Sequence, residues 1–148
     1  MRTQELENNL VDAVRDVLGT MFFTDVVDDQ KLPVILGDQP LTVRVGFAGE
    51  TAGVLHLRVP AETAGALASN FLGAQPGEPL SEEQIDEVVR ELSNMLCGAF
   101  LSRHEAEQVF ELTSPEHVEQ PGPEPGEIRR GMELENGCLE LTLNWRRV

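Results

Sequence analysis

Glu91 and Asn94 are the residues whose types and spacing invite a chemical reading. They lie in a segment with helical periodicity, 82–103, and at i, i+3 their side chains leave a helix side by side. A carboxylate beside a carboxamide offers one site for a cation and one donor–acceptor pair. Gly98 follows one turn below, where a missing side chain lets another molecule come close. With Glu91 at zero and about 100° per residue, Met95, Val88, Ala99, Leu92, Ile85, Leu96, Val89 and Phe100 fill an arc from about 40° to about 180°. Opposite them stand Asn94, Glu87, Gly98 and Glu91. A glycine inside a helix costs roughly 1 kcal/mol relative to alanine, so this stripe is a candidate docking face. A merely solvated face would carry the same residues. Glu5 and Asn8 repeat the E-x-x-N spacing at the fraying start of the chain, with no glycine a turn below, and read as solvated.

Other reactive residues point nowhere in particular. Cys97 and Cys138 are the only cysteines, too few for a disulfide framework, and both read as small structural thiols. His56, His104 and His117 share no metal-ligand spacing with each other or with the cysteines, so no metal site is expected in this chain.

The elements that must carry this face can be read around it. Leu10, Val14, Val17, Leu18 and Met21 predict an amphipathic helix from about 4 to 22. An irregular stretch follows, with a short strand at Val34–Leu36. Alternation of Leu41, Val43, Val45 and Phe47, a turn at Gly49–Gly53, and alternation of Leu55, Leu57 and Val59 predict an antiparallel hairpin. Pro60 opens a helix with Ala64, Leu67 and Phe71 inward and Gly73 as its C-cap. Ser81 and Gln84 form a capping box, with Leu80 and Ile85 as its hydrophobic staple, so the next helix starts at about Glu82. Val109–Thr113 reads as a strand and the proline- and glycine-rich 114–131 as a loop. Met132–Glu135, the turn pair Asn136-Gly137 and Leu139, Leu141, Leu143 and Trp145 predict a second hairpin. Asp12–Gly19 echoes Glu91–Gly98, and Gly53–Val59 echoes Gly137–Leu143, as two copies of a helix-plus-hairpin unit would. The fold class is α+β, with long helices packed on a shared, largely antiparallel sheet.

The chain has 148 residues, the length of one domain, 1–148, and Lys plus Arg total 11 against 26 Asp plus Glu, a net charge of −15. Such a surface repels phosphate backbones and anionic headgroups, which argues against nucleic acid and membrane as partners. No apolar run is long enough to span a bilayer. The acidic start does not resemble a secretory signal, and a cytoplasmic location is expected.

Glu91-Leu-Ser-Asn94-Met-Leu-Cys-Gly98 on a long helix, followed by a strand reaching Ser114-Pro115, resembles the CheC/CheX/FliY family of chemotaxis phosphatases. Val45-Gly-Phe-Ala-Gly, Gly53-Val-Leu-His-Leu and the early helix ending Gly19-Thr-Met21 resemble its single-site CheX type. The resemblance spans about residues 8 to 145. The chain departs from the family pattern at Glu87, where Asp or Ser is common, at Ala99, where a second asparagine is common, and in the short distance to Pro115. The echo of the motif in the first helix reads Asp12…Arg15, so a second site is not expected.

The resemblance implies a CheC-like fold and dephosphorylation of the aspartyl phosphate on a CheY-like receiver domain. It gives Asn94 the role of positioning the attacking water and Glu91 that of pairing with the receiver's lysine, with Glu87 and Gly98 in the docking surface. No cofactor is implied in this chain, the divalent metal belonging to the receiver, and a homodimer is implied. A non-catalytic receiver-binding or flagellar-switch-like adaptor is the alternative function.

Overall fold

The computed structural model describes residues 2–30, 36–37, 40–104, 107–118 and 128–147. Its elements run α1 (Arg2–Met21), β1 (Val26–Gln30), β2 (Leu41–Ala48), β3 (Thr51–Val59), α2 (Ala61–Leu72), α3 (Glu82–His104), β4 (Glu111–Leu112), β5 (Glu116–His117), β6 (Ile128–Leu134) and β7 (Gly137–Arg147). All strands join one seven-stranded antiparallel sheet in the order β1-β6-β7-β3-β2-β4, with β5 also on β2. The alternation foreseen for the hairpins holds through β3, but in β2 Leu41 is only half-buried while Thr42 and Gly46 are buried, and in β7 Glu140 is buried. Val43, Val45, Phe47, Leu55, Leu57, Val59, Leu139, Leu141, Leu143 and Trp145 are buried and join the three helices in one core. Burial of such side chains contributes about 1.5–3 kcal/mol each, which is what holds the helices on this face.

The two hairpins meet along β3 and β7. The sequence echo that sets Gly53 against Gly137 also sets Leu57 against Leu141, and these two leucines are directly opposed across that seam. Residues equivalent in the two units therefore coincide at a local two-fold axis, the arrangement a duplicated unit needs to share one sheet. Consistent with that axis, α1 packs on β1 and β6 while α3 packs on β2 and β3, and the two helices pack on each other.

Several boundaries differ from the sequence reading. The stretch expected to be irregular contains β1, paired with β6 across a register shift between Val26 and Asp28. Asp28 and Asp29 are poor strand formers, but Arg15 and Arg130 both pair with Asp29 and hold the strand in place. Of the strand expected at Val34–Leu36, only Leu36 lies within the described residues, and it is not in a strand. Val109–Thr113 contributes only Glu111–Leu112, and Val109 is exposed. Thr113 bonds Gly46 through its hydroxyl and its N–H, and Pro115 has no N–H for the ladder, so pairing resumes at β5. The expected loop 114–131 thus holds β5 and the start of β6, with 119–127 outside the described residues. The second hairpin turns at Glu135–Asn136, one residue earlier than expected, and Gly137 opens β7 with φ 146°. A side chain on Gly137 would collide with Thr63, whose hydroxyl accepts from the Cys138 N–H. Met21, placed inward by periodicity, is 42% exposed, because α1 ends there.

Candidate functional site

Helix α3 starts where its local chemistry dictates. The Gln84 N–H donates to Ser81 Oγ at 3.1 Å, and the Ser81 N–H donates to Gln84 Oε1 at 2.8 Å. These reciprocal bonds satisfy two donors that a helix start leaves open. Leu80 and Ile85 both pack against the core beside them. In α2, Gly73 takes the left-handed conformation expected of its C-cap, with φ 67°.

The buried face of α3 comprises Val88, Val89, Leu92, Ser93, Leu96, Cys97, Phe100 and Leu101. It is rotated from the periodicity estimate. Met95, Ala99 and Ile85 are only partly buried, while Ser93, Cys97 and Leu101 are inside. Packing of α1 on α3, with Asp16 bonded to Arg103 and Asn9 to His104, widens burial on that flank. The Ser93 hydroxyl donates to the Val89 carbonyl at 2.9 Å, so its burial leaves nothing unsatisfied. Burial pushes the Cys97 thiol up to about 12, which leaves it protonated and inert. Neither cysteine is in a disulfide, as read from the sequence.

Opposite this face, Glu87 and Glu91 are exposed, and Asn94 and Gly98 are half-buried. No described residue bonds the side chain of Glu91 or Asn94, so both are available to a partner. Apart from its chain neighbours and its own helix backbone, no described atom lies within 4 Å of where a Gly98 Cβ would sit, so the glycine relieves no clash with another described element and leaves a step in the ridge. Together Glu87, Glu91, Asn94 and Gly98 form a convex strip on a rigid, core-anchored helix. The nearby cleft of about 480 Å³ contains none of them, being lined by Leu41, Ala61, Glu82, Glu83, Ile85, Asp86 and His117. A convex site suits insertion into another molecule better than enclosure of a small one.

The counterpart on α1 is different. Asp12 is exposed, but Arg15 donates to the Val26 carbonyl at 3.3 Å and to Asp29 Oδ2 at 3.0 Å. Its guanidinium is engaged with β1, where α3 offers an unbonded amide. No three His, Cys, Asp or Glu side chains among the described residues are grouped to hold a metal ion. No helix among them is long and apolar enough to cross a membrane.

A sequence model of the family described as chemotaxis phosphatase CheX matches residues 41–124, which include the whole of α3. The chain belongs to this family. Solved structures of CheX-type proteins share the fold. CheX of Borrelia burgdorferi, crystallised as a CheX-CheY-BeF3-Mg complex, is 22% identical, with 95% of this chain and 97% of that chain covered and a TM-score of 0.72. CheX of Vibrio vulnificus is 23% identical over 96% of this chain and 97% of that one, with a TM-score of 0.73. The FliY protein of Thermotoga maritima is 15% identical over 95% and 86%, with a TM-score of 0.61. None of the curated proteins compared with this chain matches it. Periodicity alone missed one group beside the CheX-type ridge: Arg90, Asp86 and His117. The D-x-x-x-R spacing marks the first two, whereas His117 comes to Asp86 only through the sheet.

Proposed function

We propose that this chain, as one domain over residues 1–148, hydrolyses the aspartyl phosphate of a CheY-like receiver domain. The observation that carries the reading is the unbonded, outward-facing Glu91–Asn94 pair on α3 of a chain from a phosphatase family. The Borrelia burgdorferi relative, solved bound to CheY, supports a receiver as the partner.

In this reading α3 is the part that enters the receiver. Phosphoryl transfer proceeds through a loose transition state, so positioning of the nucleophile dominates. The Asn94 carboxamide accepts from the attacking water and orients it in line, without adding negative charge beside the phosphoryl oxygens. Glu91, one turn earlier, pairs with the receiver's lysine and fixes the depth of insertion. Glu87 extends the contact, and the step at Gly98 lets the receiver's backbone approach. The divalent cation held by the receiver neutralises phosphoryl charge, and no residue of this chain is needed to hold it. We further propose a homodimer working in the cytoplasm, the first of which sedimentation equilibrium tests directly.

The test uses a receiver charged with acetyl phosphate. Phosphate release is followed with wild-type protein and with Asn94→Ala. Acceleration by the wild type that Asn94→Ala abolishes supports the phosphatase. Unchanged release makes the chain a non-catalytic receiver binder, and equal acceleration by both proteins removes Asn94 from the mechanism.

A further inference from the structure

Phe23 breaks a local rule, and it does so at the surface. It lies just past α1 with φ 51°, the one described non-glycine residue with a positive φ. A helix that ends this way favours glycine at that position, and for a bulky side chain the conformation is strained. Burial does not compensate for the strain, because the side chain is 72% exposed.

Strain of this kind persists only where the surroundings enforce it, and the residues on both sides of Phe23 are clamped. Phe22 is buried and stacks on Phe71 of α2, with ring centroids 4.8 Å apart. The Thr24 N–H donates to the Leu18 carbonyl at 3.0 Å. The Thr24 hydroxyl donates to the Phe22 carbonyl at 2.9 Å and accepts from the Asn70 amide of α2 at 3.2 Å. The Asp25 N–H donates to Glu135 Oε1, at the turn between β6 and β7, at 2.8 Å. The ends of α1 and α2 and that turn thus converge around Thr24 and hold Phe23 outward as a fixed knob. A preorganised aromatic side chain gives up little freedom on binding, which suits it to anchor an interface.

The charge around the knob says what can cover it. Residues 16–29, 61–73 and 131–138 contain no Lys, Arg or His, and neither α1 nor α2 has a basic residue in its last turn. Two helix C-termini, each equivalent to about half a negative charge, therefore lie beside the exposed Asp25 and Glu135. A second copy of the chain would bring the same acidic end against this one. An apolar stripe flanked by Lys or Arg matches both the ring and the field. We propose that Phe23, with the exposed Met21 two residues earlier, anchors a docking surface for a basic, amphipathic segment of another protein. The surface lies at the end of α1 and uses none of the ridge residues of α3.

The experiment titrates the full chain calorimetrically with three synthetic peptides: an amphipathic helix of leucine and lysine, its serine–lysine counterpart and its leucine–glutamate counterpart. The leucine–lysine peptide should bind with a stoichiometry of one and weaken as salt is raised, and the other two should bind at least about tenfold more weakly. Phe23→Gly and Phe23→Ser should each raise the Kd for the leucine–lysine peptide about tenfold or more, the loss of an aromatic anchor. Val109→Ser, at a side chain 89% exposed just before β4, should leave that Kd unchanged. Phe23→Gly should melt no lower than wild type, because relief of the left-handed strain offsets the freedom glycine adds to the unfolded chain. Equal Kd for Phe23→Gly and wild type, or an equal loss in Val109→Ser, overturns the proposal. Binding of the leucine–glutamate peptide as tight as that of the leucine–lysine peptide overturns it as well. A Phe23→Gly chain that melts well below wild type makes the ring a structural cover instead. Conversion of a wild-type dimer to a monomer by Phe23→Gly in sedimentation equilibrium assigns the knob to a second copy, and either result likewise overturns it.

Discussion

Asn94→Asp separates the amide's chemistry from its shape. The substitution replaces NH₂ by O, so the ridge keeps its contour while losing two donors and gaining a negative charge. Asn94 is half-buried on a surface helix and bonds no described residue, so the fold should change by no more than about 0.5 kcal/mol. In the docked complex the new carboxylate would stand about 4 Å from the phosphoryl group. At an effective dielectric of about 20, Coulomb repulsion between two unit charges there is about 4 kcal/mol, or about a thousandfold in rate. Asn94→Ala removes the positioning without adding charge, and a misplaced reactant costs about a hundredfold. The rates should therefore rank wild type, then Asn94→Ala, then Asn94→Asp. Initial rates of phosphate release from an acetyl-phosphate-charged receiver check the ranking, with thermal melts to confirm equal folding. An Asn94→Asp rate within tenfold of wild type, or above that of Asn94→Ala, would show that the side chain does not face the reacting water.

Glu91→Gln keeps the volume and removes the charge proposed to meet the receiver's lysine; truncating a close interfacial pair costs about 2 kcal/mol or more. A loss of about 30-fold in kcat/KM is expected, and an unchanged value refutes the pairing. Ser81→Ala breaks the capping box, costs about 1 kcal/mol and should lower Tm by about 2–4 °C. Its turnover at 25 °C should survive, because the reacting pair begins more than two turns further along α3. Burial raises the Cys97 thiol to about 12 from its ordinary value of 9.0. Between those values the unfolded chain has lost a proton that the folded chain retains, so stability falls as pH rises, by about 1.4 kcal/mol per pH unit. Denaturant titrations at a series of pH values above 9 should show the difference between wild type and Cys97→Ala changing at that slope. A constant difference would place the thiol in water.

Much of this molecule is legible along the chain because the signals are local. The start of α3 follows from Ser81 and Gln84, whose bonds join residues three apart. The outward ridge follows from helical spacing, which puts Glu87, Glu91, Asn94 and Gly98 opposite Val88, Leu92 and Leu96 whatever the helix packs on. Both hairpins follow from period-2 alternation, and the residues of the CheX-type motif are contiguous on one helix.

What packing decided lies between segments far apart in sequence. Strand β1 carries two aspartates that argue against a strand, and it exists because β6 pairs with it and Arg15 and Arg130 reach Asp29. The buried arc of α3 turned toward Ser93, Cys97 and Leu101 because α1 covers that flank, which no periodicity within α3 records. Asp86 meets His117 only because β5 pairs with β2 and β2 packs on α3. Hydrogen bonds and side-chain neighbours within one turn are encoded by spacing alone. Contacts between turns of chain that the sheet brings together depend on which faces bury each other, and that choice is made by the whole core at once.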